Sequence, residues 1–312
     1  MIAPLPIEVT ASAAEFIPPS GGVLLHGTLE ERSLVPDPWR TVAGLEFIEI
    51  FESDHLSSFR VGSTTGAEIT LRRRGALERF LDQFDGRQLL IDYTGLSHHV
   101  WMPLLKVGLE SGFDMKLIYS EPAVYQFVPN PRLSDFFDLS EKIRGISPIP
   151  TFSKLSDPRS KAPVLVPLLG FEGTRFKHVI ETLQPEGQDI FPIVGIPGFQ
   201  LDFPFHSYRG NADALSFNRA WENVRFSDAA CPFTLYGTLS DIKDARAANF
   251  LQISPIGTKP HALGAALFAI LNPETELVYD HPVRKKQRSV GAGRCHIYNV
   301  SEFVRRRRAS GP

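Results

Sequence analysis

The chain has 312 residues, of which 43% are hydrophobic and 22% charged, and its formal net charge at pH 7 is -2. This length allows two domains of ordinary size or one large α/β body, and no apolar run approaches the roughly 20 residues that span a bilayer. The balanced charge excludes a global field that favours nucleic acid, and two cysteines are too few for a disulfide framework.

The N-terminal residues and the spacing of histidine and cysteine bear on where the protein is found and on whether it binds a metal. Residues 1–20 lack the basic and apolar regions of a signal peptide, so we expect a soluble, cytoplasmic protein without a membrane partner. His and Cys are not clustered at metal-binding spacing, so we expect no metal and no cofactor. Local basic runs leave nucleic-acid binding open.

The first half of the chain alternates strand and helix patterns. Apolar runs and period-two alternation predict strands, and apolar residues three or four apart predict helices. Pro103 predicts that the regular part of the second helix starts nearer to it than to Ser97. The strands are predicted at residues 23–25, 45–51, 88–92 and 116–119, and the helices at residues 76–84 and 97–112.

The second half repeats this order of patterns. Strands are predicted at residues 163–169, 189–196, 250–254 and 277–279, and helices at residues 176–183 and 261–271. Between them, residues 199–249 are broken into short pieces by proline and glycine. This segment is predicted to be either a lid over a pocket or an insertion with its own small helical fold.

One phrase occurs twice, as LIYSEP at residues 117–122 and as LVYDHP at residues 277–282. Gly95 and Gly257 precede the two copies at nearly the same distance, each between a strand and a helix. A chance match between short apolar segments is the alternative, but the order and spacing of the strand, turn and helix patterns together favour a duplication. We therefore predict an α/β fold of two Rossmann-like units with parallel sheets, arranged as an internal pseudo-dimer, with ligands at the carboxyl ends of the strands.

The predicted organisation has five parts. They are an N-terminal extension (1–20), a first Rossmann-like unit (21–125), a linker with a short helix at residues 133–143 (126–160), a second Rossmann-like unit (161–300) and a basic C-terminal tail (301–312).

The sharpest local motif is the turn Gly257-Thr258-Lys259, which joins a predicted strand to an apolar helix. Such a turn aims backbone N–H groups, a helix dipole, a hydroxyl and a cation at one spot, and this combination suits phosphate. It lacks the spacing of a Walker A motif. The alternative is a plain strand-to-helix turn with an exposed lysine.

The turn and the helix after it resemble the nucleotide-binding signature of the CRISPR-associated Rossmann fold (CARF) sensors and the related SAVED domains. The similar residues are 256–259 (IGTK) and 262–265 (ALGA) in the second half, and 92–97 (DYTGLS) in the first. In that family two units clasp a cyclic oligonucleotide. The resemblance implies a nucleotide-type ligand between the two halves of this chain.

The resemblance also implies roles for individual residues. Thr258 and Lys259, with Gly257, would contact phosphate, and Thr94, Gly95 and Ser97 would line the opposing half. The loops after the first strand of each half would contact ribose or base, through His26 and Thr28 in the first half and Glu172, Thr174 and Arg175 in the second.

Three functions remain open from the sequence. The first is a nucleotide-binding sensor or regulatory subunit that recognises a cyclic oligonucleotide in antiviral defence and signals to a separate effector protein. The second is a nucleotide- or phosphoester-processing, ring-nuclease-like enzyme, in which Lys259 stabilises the transition state and His98 or His99 transfers a proton. The third is a structural subunit of a defence complex, with the basic runs at residues 72–74, 284–286 and 305–308 as docking surface.

Overall fold

The chain forms two compact α/β units, seen in a computed structural model that describes residues 4–53, 55–126, 139–154, 163–217, 219–246, 250–285 and 288–310. The first unit consists of Met1–Val124 and Ser289–Pro312, and the second unit is Tyr125–Arg288. The second unit is therefore inserted into the first along the chain.

The strands and helices are numbered in chain order. The strands are β1 (Ile7–Thr10), β2 (Val23–His26), β3 (Glu46–Glu52), β4 (Ser58–Val61), β5 (Glu68–Thr70), β6 (Leu89–Asp92), β7 (Met115–Tyr125), β8 (Ser140–Ile143), β9 (Ser147–Pro148), β10 (Val164–Pro167), β11 (Ile193–Gly195), β12 (Arg225–Ser227), β13 (Leu251–Ser254), β14 (Glu276–Tyr279), β15 (Pro282–Arg284) and β16 (Ser289–Asn299). The helices are α1 (Asp37–Arg40), α2 (Arg74–Asp82), α3 (His98–Glu110), α4 (Gly173–Leu183), α5 (Phe203–Gly210), α6 (Ala212–Phe217), α7 (Pro232–Ala245), α8 (Lys259–Leu271) and α9 (Val300–Ala309).

The first unit is built on one mixed sheet in the order β1-β16-β7-β6-β2-β3-β4-β5. Its centre is parallel, because β2 pairs in parallel with β3 and β6, and β6 pairs in parallel with β7. All residues of β2 and β6 are buried, as expected for parallel strands covered on both faces. The chain leaves β2 for β3 on one side and later returns to β6 on the other, so the topological switch point lies between β2 and β6.

The second unit has the strand order of a doubly wound sheet. Its main sheet runs β10-β13-β14-β9, with β10, β13 and β14 parallel and β9 antiparallel at the edge. Parallel bridges from Leu165 to Ile190 and from Leu168 to Ile193 place β11 beside β10, and β12 pairs in parallel with β11. The parallel strands thus follow the order 3-2-1-4-5, with the switch point between β10 and β13. The predicted Rossmann-like α/β class is confirmed, whereas the pseudo-dimer and the duplication stay predictions.

Helix α8 is the central helix of the second unit. Twelve of its residues, from Lys259 to Ile270, are buried. Its glycine, Gly264, lies where a Cβ would be only 2.5 Å from the carbonyl oxygen of Pro232 at the start of α7. The apolar sequence of α8 is therefore that of a helix covered on all sides.

The structure divides the chain differently from the predicted five parts. Residues 289–300, assigned by sequence to the second unit, form β16 and the start of α9 in the first unit. The predicted basic tail is mostly helix α9, which buries Val300, Phe303 and Val304. Its arginines belong to the exposed side of an amphipathic helix, where Arg306 pairs with Glu302.

Two predicted helices also differ. Helix α3 begins at His98 although Pro103 lies inside it, because burial of most of the helix outweighs one lost backbone hydrogen bond. Of the predicted linker helix, residues 133–138 lie outside the described residues, and Ser140–Ile143 is strand β8, which pairs with β15. Pairing with a distant strand overrides a local helical pattern.

The segment at residues 199–249 belongs to the doubly wound sheet. It carries the third parallel strand, β12, together with the helices of the crossovers on either side of it, α5 and α6 before β12 and α7 after it. It is therefore neither a lid nor a separate insertion. None of the helices in the described part of the chain is long and apolar enough to cross a membrane.

The packing of α7 against α8 can be tested with a matched pair of glycine substitutions, one in each helix. Gly264→Ala should destabilise the protein by about 1–3 kcal/mol, because its new methyl group has no room against the Pro232 carbonyl. Gly237→Ala in α7 is the control, since no atom lies within 4 Å of its new Cβ. It should stabilise the protein by about 0.5–1 kcal/mol through helix propensity. Urea unfolding midpoints check both values, and equal effects of the two changes contradict the packing.

Candidate functional site

The candidate site lies at the carboxyl edge of the second unit's sheet, at the switch point between β10 and β13. Strand β13 ends at Ser254, and helix α8 starts at Lys259, so the turn between them stands beside the turn that leaves β10. Both Gly257 and Thr258 are half-buried, so this turn reaches the surface. In open α/β sheets this is the position at which ligands bind.

Two glycines allow the two turns to touch. A Cβ on Gly257 would lie 2.6 Å from the carbonyl oxygen of Leu169, and a Cβ on Gly170 would lie 2.7 Å from that of Ile256. Real Cβ atoms do not approach oxygen so closely, so neither position accepts a side chain without movement. The close contact determines where the turn before α8 lies.

The hydroxyl of Thr258 has a structural role as the N-cap of α8. It accepts a hydrogen bond from the backbone N–H of His261 at 3.3 Å, and it donates to the carbonyl oxygen of Ala229 at 2.8 Å. A hydroxyl has one hydrogen to donate. The predicted donation from Thr258 Oγ1 to a phosphate would require breaking the bond to Ala229.

The backbone of the turn, in contrast, has donors to offer. Within the described part of the chain, the N–H groups of Gly257 and Thr258 donate no hydrogen bond. They precede the first turn of α8, where the helix dipole is positive. Consecutive N–H groups at such a place form an anion-binding concavity.

Lys259 follows these two residues directly in the chain. It is the first residue of α8 and only 6% of its surface is exposed. An ammonium group and the positive end of a helix raise the local potential together, which favours an anion beside them. The sequence-based alternative of an exposed lysine is therefore not what the structure shows.

Glu172 and Arg175, predicted to contact ribose or base, are buried in a polar network of the second unit. Arg175 makes two hydrogen bonds of 2.7 Å to the carboxylate of Asp280. Burial by itself lowers the pKa of Arg175, but the charge and hydrogen bonds of Asp280 outweigh it and hold the pKa above its ordinary value. Glu172 accepts from the backbone N–H of Leu139 and from the hydroxyl of Ser140. Thr174, in contrast, is exposed.

His261 supports the turn from inside the unit. Its Nε2 donates to the carbonyl oxygen of Asp228 at 3.0 Å, and its side chain is fully buried. Desolvation by burial lowers the pKa of His261 to about 4, so the imidazole is neutral at pH 7. Its contact with Asp228 and the contact of Thr258 with Ala229 hold the loop after β12 against the start of α8.

The corresponding turn of the first unit is arranged differently. The carboxylate of Glu52 accepts from the backbone N–H of Ser97, the N-cap of α3, and Asp92 accepts from that of Thr94. The place that an anion would take at the start of this helix is therefore taken by a carboxylate of the protein. The hydroxyl of Thr94 is also engaged, since it accepts from the backbone N–H of Ser120 at 2.9 Å.

The remaining predicted residues of the first unit lie near its switch point. The turns after β2 and β6 touch, because a Cβ on Gly95 would lie 2.1 Å from the carbonyl oxygen of Gly27. His26 ends β2 and is buried, which lowers its pKa and favours the neutral ring. Thr28 is exposed. The structure thus brings the predicted residues of each unit to one sheet edge, and their contact with a ligand stays a prediction.

The two candidate catalytic histidines are buried in α3. Nδ1 of His98 accepts a hydrogen bond of 3.0 Å from the indole of Trp101, and the two rings meet edge to face. His99 is 5% exposed. The ring of His98 is therefore held by packing, and neither histidine lies on an open surface.

Sequence reasoning missed Asp280, Asp228 and the contact of His261 with Asp228. Of these residues, only Asp280 lies in a pattern that could have drawn attention to it, because it stands in the repeated motif where the first copy has Ser120. In the first unit Arg32 donates to the carbonyl oxygen of Ser120 at 3.0 Å, so an arginine after the first strand contacts this place in both units. A pattern of adjacent residues does not reveal such a contact.

The low pKa of His261 predicts a dependence of stability on pH. The folded state has a pKa of about 4 and the unfolded state one near 6.5, so below pH 6.5 the unfolded state binds a proton that the folded state does not. Stability contributed by this residue is complete above pH 6.5 and is lost as the pH falls toward 4. Between pH 7 and pH 5 the loss should be about 2 kcal/mol.

His261→Gln is the matched variant, because its amide N–H can replace Nε2 as donor to Asp228 and does not titrate. Urea unfolding at pH 7 and pH 5 should show a smaller loss in the variant than in the parent. An equal loss in both proteins contradicts the assignment.

Comparisons with known proteins add little to this geometry. No protein-family model matches the chain, and no curated protein matches it significantly. Among solved structures, CobK precorrin-6A reductase is similar at 11% sequence identity, over 85% of this chain and 90% of that chain, with a TM-score of 0.22. A TM-score this low carries no argument, so the function rests on the site itself.

Proposed function

We propose that the second unit binds a phosphate-bearing ligand of the nucleotide class at the turn Gly257-Thr258-Lys259, and that the chain acts as a nucleotide-binding sensor or regulatory subunit. The observation that carries the proposal is the pair of N–H groups, on Gly257 and Thr258, that donate to no described residue at the switch point of a doubly wound sheet. Such donors satisfy phosphate oxygens without any rearrangement of side chains.

Electrostatics supports an anion rather than a neutral ligand. Lys259 is a cationic residue directly after the turn, and the start of α8 is the positive end of the helix dipole. The start of α3 in the first unit lacks such a surplus among its described residues, because a carboxylate oxygen of Glu52 accepts from the N–H of its N-cap residue. We therefore expect the phosphate contact at the turn of the second unit and no equivalent contact at the start of α3.

The type of nucleotide comes from the resemblance of this turn to the CARF and SAVED families. Cyclic oligonucleotides are accordingly the first ligands to test, and a role in antiviral defence with a separate effector protein belongs to the same proposal. The enzymatic alternative needs His98 or His99 to reach a ligand, and the burial of both side chains in α3 does not favour it.

The test is a binding panel on the full chain, read by thermal shift and by calorimetry. Cyclic di-, tri- and tetranucleotides and linear nucleotides are compared with the nucleosides that lack phosphate. At least one nucleotide should raise the melting temperature, and its nucleoside should not. Lys259→Met should weaken binding of that nucleotide by tenfold or more, because a hydrogen bond to a charged group is worth about 1.5–3 kcal/mol.

The matched control is Lys177→Met, which removes an exposed lysine of α4 in the same unit. It should leave the dissociation constant unchanged. Nucleosides that bind as tightly as nucleotides, or an unchanged affinity in a folded Lys259→Met protein, contradict the proposal. The absence of binding by every member of the panel also counts against it.

A further inference from the structure

The guanidinium group of Arg175 joins three turns at the carboxyl edge of the second unit. Nε and Nη2 donate to the two carboxylate oxygens of Asp280, after β14, at 2.7 Å each. Nη1 donates to the carbonyl oxygen of Ile256, in the turn before α8, at 3.1 Å. Arg175 itself lies in the first turn of α4, so one side chain reaches the ends of three parallel strands.

The contact with Ile256 determines the direction of the next N–H group. A trans peptide is planar, with its C=O and N–H pointing in opposite directions. The carbonyl of Ile256 is directed at Arg175, so the N–H of Gly257 is directed away from it. The preceding peptide, between Pro255 and Ile256, is held as well, since the N–H of Ile256 donates to the carbonyl oxygen of Ser254 at 3.0 Å. The peptide between Ile256 and Gly257 thus has little freedom to flip.

The charge of Arg175 is balanced within the protein. Asp280 is fully buried and engages the guanidinium through both oxygens, and Glu172 lies 3.7 Å from Nη1. Only the planar fork of arginine can hold a carboxylate bidentately and donate to a carbonyl at the same time. Arg175 therefore contributes geometry to the turn rather than free positive charge.

We propose that Arg175, anchored by Asp280, is a positioning residue that presents the Gly257 N–H to the ligand. It does not contact the ligand itself. This inference rests on the proposed function for the effect on binding, whereas the orientation of the peptide is a property of the ligand-free protein. The residue expected from the sequence to touch ribose or base instead orients a donor for phosphate.

The test removes both Arg175 and Asp280, because a single substitution leaves its buried partner without the ion pair and strongly destabilises the protein. The double variant Arg175→Met with Asp280→Leu replaces the pair by apolar side chains of similar length. The first measurement is the amide resonance of Gly257 in ¹⁵N-labelled, ligand-free protein. The second is the dissociation constant for inorganic pyrophosphate, measured by titration of the same protein.

We expect a folded double variant in which the amide resonance of Gly257 moves, and in which pyrophosphate binds at least tenfold more weakly. The matched control replaces another ion pair of the same unit, through Lys243→Met with Glu274→Leu. This control should leave both measurements as in the parent. A purely structural role of Arg175 would lower stability without moving the Gly257 resonance selectively.

Two outcomes separate this inference from the proposed function. If the parent binds pyrophosphate and the folded double variant binds it equally well with an unmoved Gly257 resonance, the positioning role is overturned. If neither pyrophosphate nor any nucleotide binds the parent, the proposed function fails. The Gly257 resonance is then the one test of whether Arg175 orients the peptide between Ile256 and Gly257. A moved resonance then supports the role of Arg175 in the turn, and an unmoved one overturns it.

Discussion

The contact of two glycine turns at the switch point is the constraint on which the second unit's site depends. Gly257 lies against the carbonyl oxygens of Leu168 and Leu169, at distances that no side chain tolerates. This contact brings the starts of α4 and α8 to one place at the sheet edge. Arg175 of α4 can then reach Ile256, and the turn that carries the backbone donors lies beside the turn after β10. Without the close approach, none of these groups would meet.

The two units share the touching turns but not the chemistry around them. In the first unit the turns after β2 and β6 also meet through glycines, at Gly27 and Gly95. There, however, Glu52 supplies a carboxylate to the N-cap of α3, so the protein provides its own anion. In the second unit the equivalent donors have no described acceptor. At the sheet edge of the first unit a carboxylate of the protein already neutralises the helix start. The sheet edge of the second unit is suited to bind an anion from outside.

Much of the fold could be predicted because the parallel strands are apolar throughout and short turns separate them from helices. Strands β2, β6, β10 and β13 and helices α2 and α8 lie close to their predicted positions. The elements that were missed or assigned wrongly depend on distant partners. Strand β8 exists because it pairs with β15, and β12 because it pairs with β11. Local patterns contain no information about such pairings.

The sequence alone determined the order of strands, turns and helices, the Rossmann-like class and the turn Gly257-Thr258-Lys259, because each depends on neighbouring residues and their periodicity. Only the tertiary structure decided the division of the chain, since β16 and α9 return to the first unit after an insertion. It also decided the roles of single side chains. Thr258 donates to Ala229, Glu52 occupies a helix start, and Arg175 pairs with Asp280. These roles follow from contacts between residues far apart in sequence, and only folding brings such residues together.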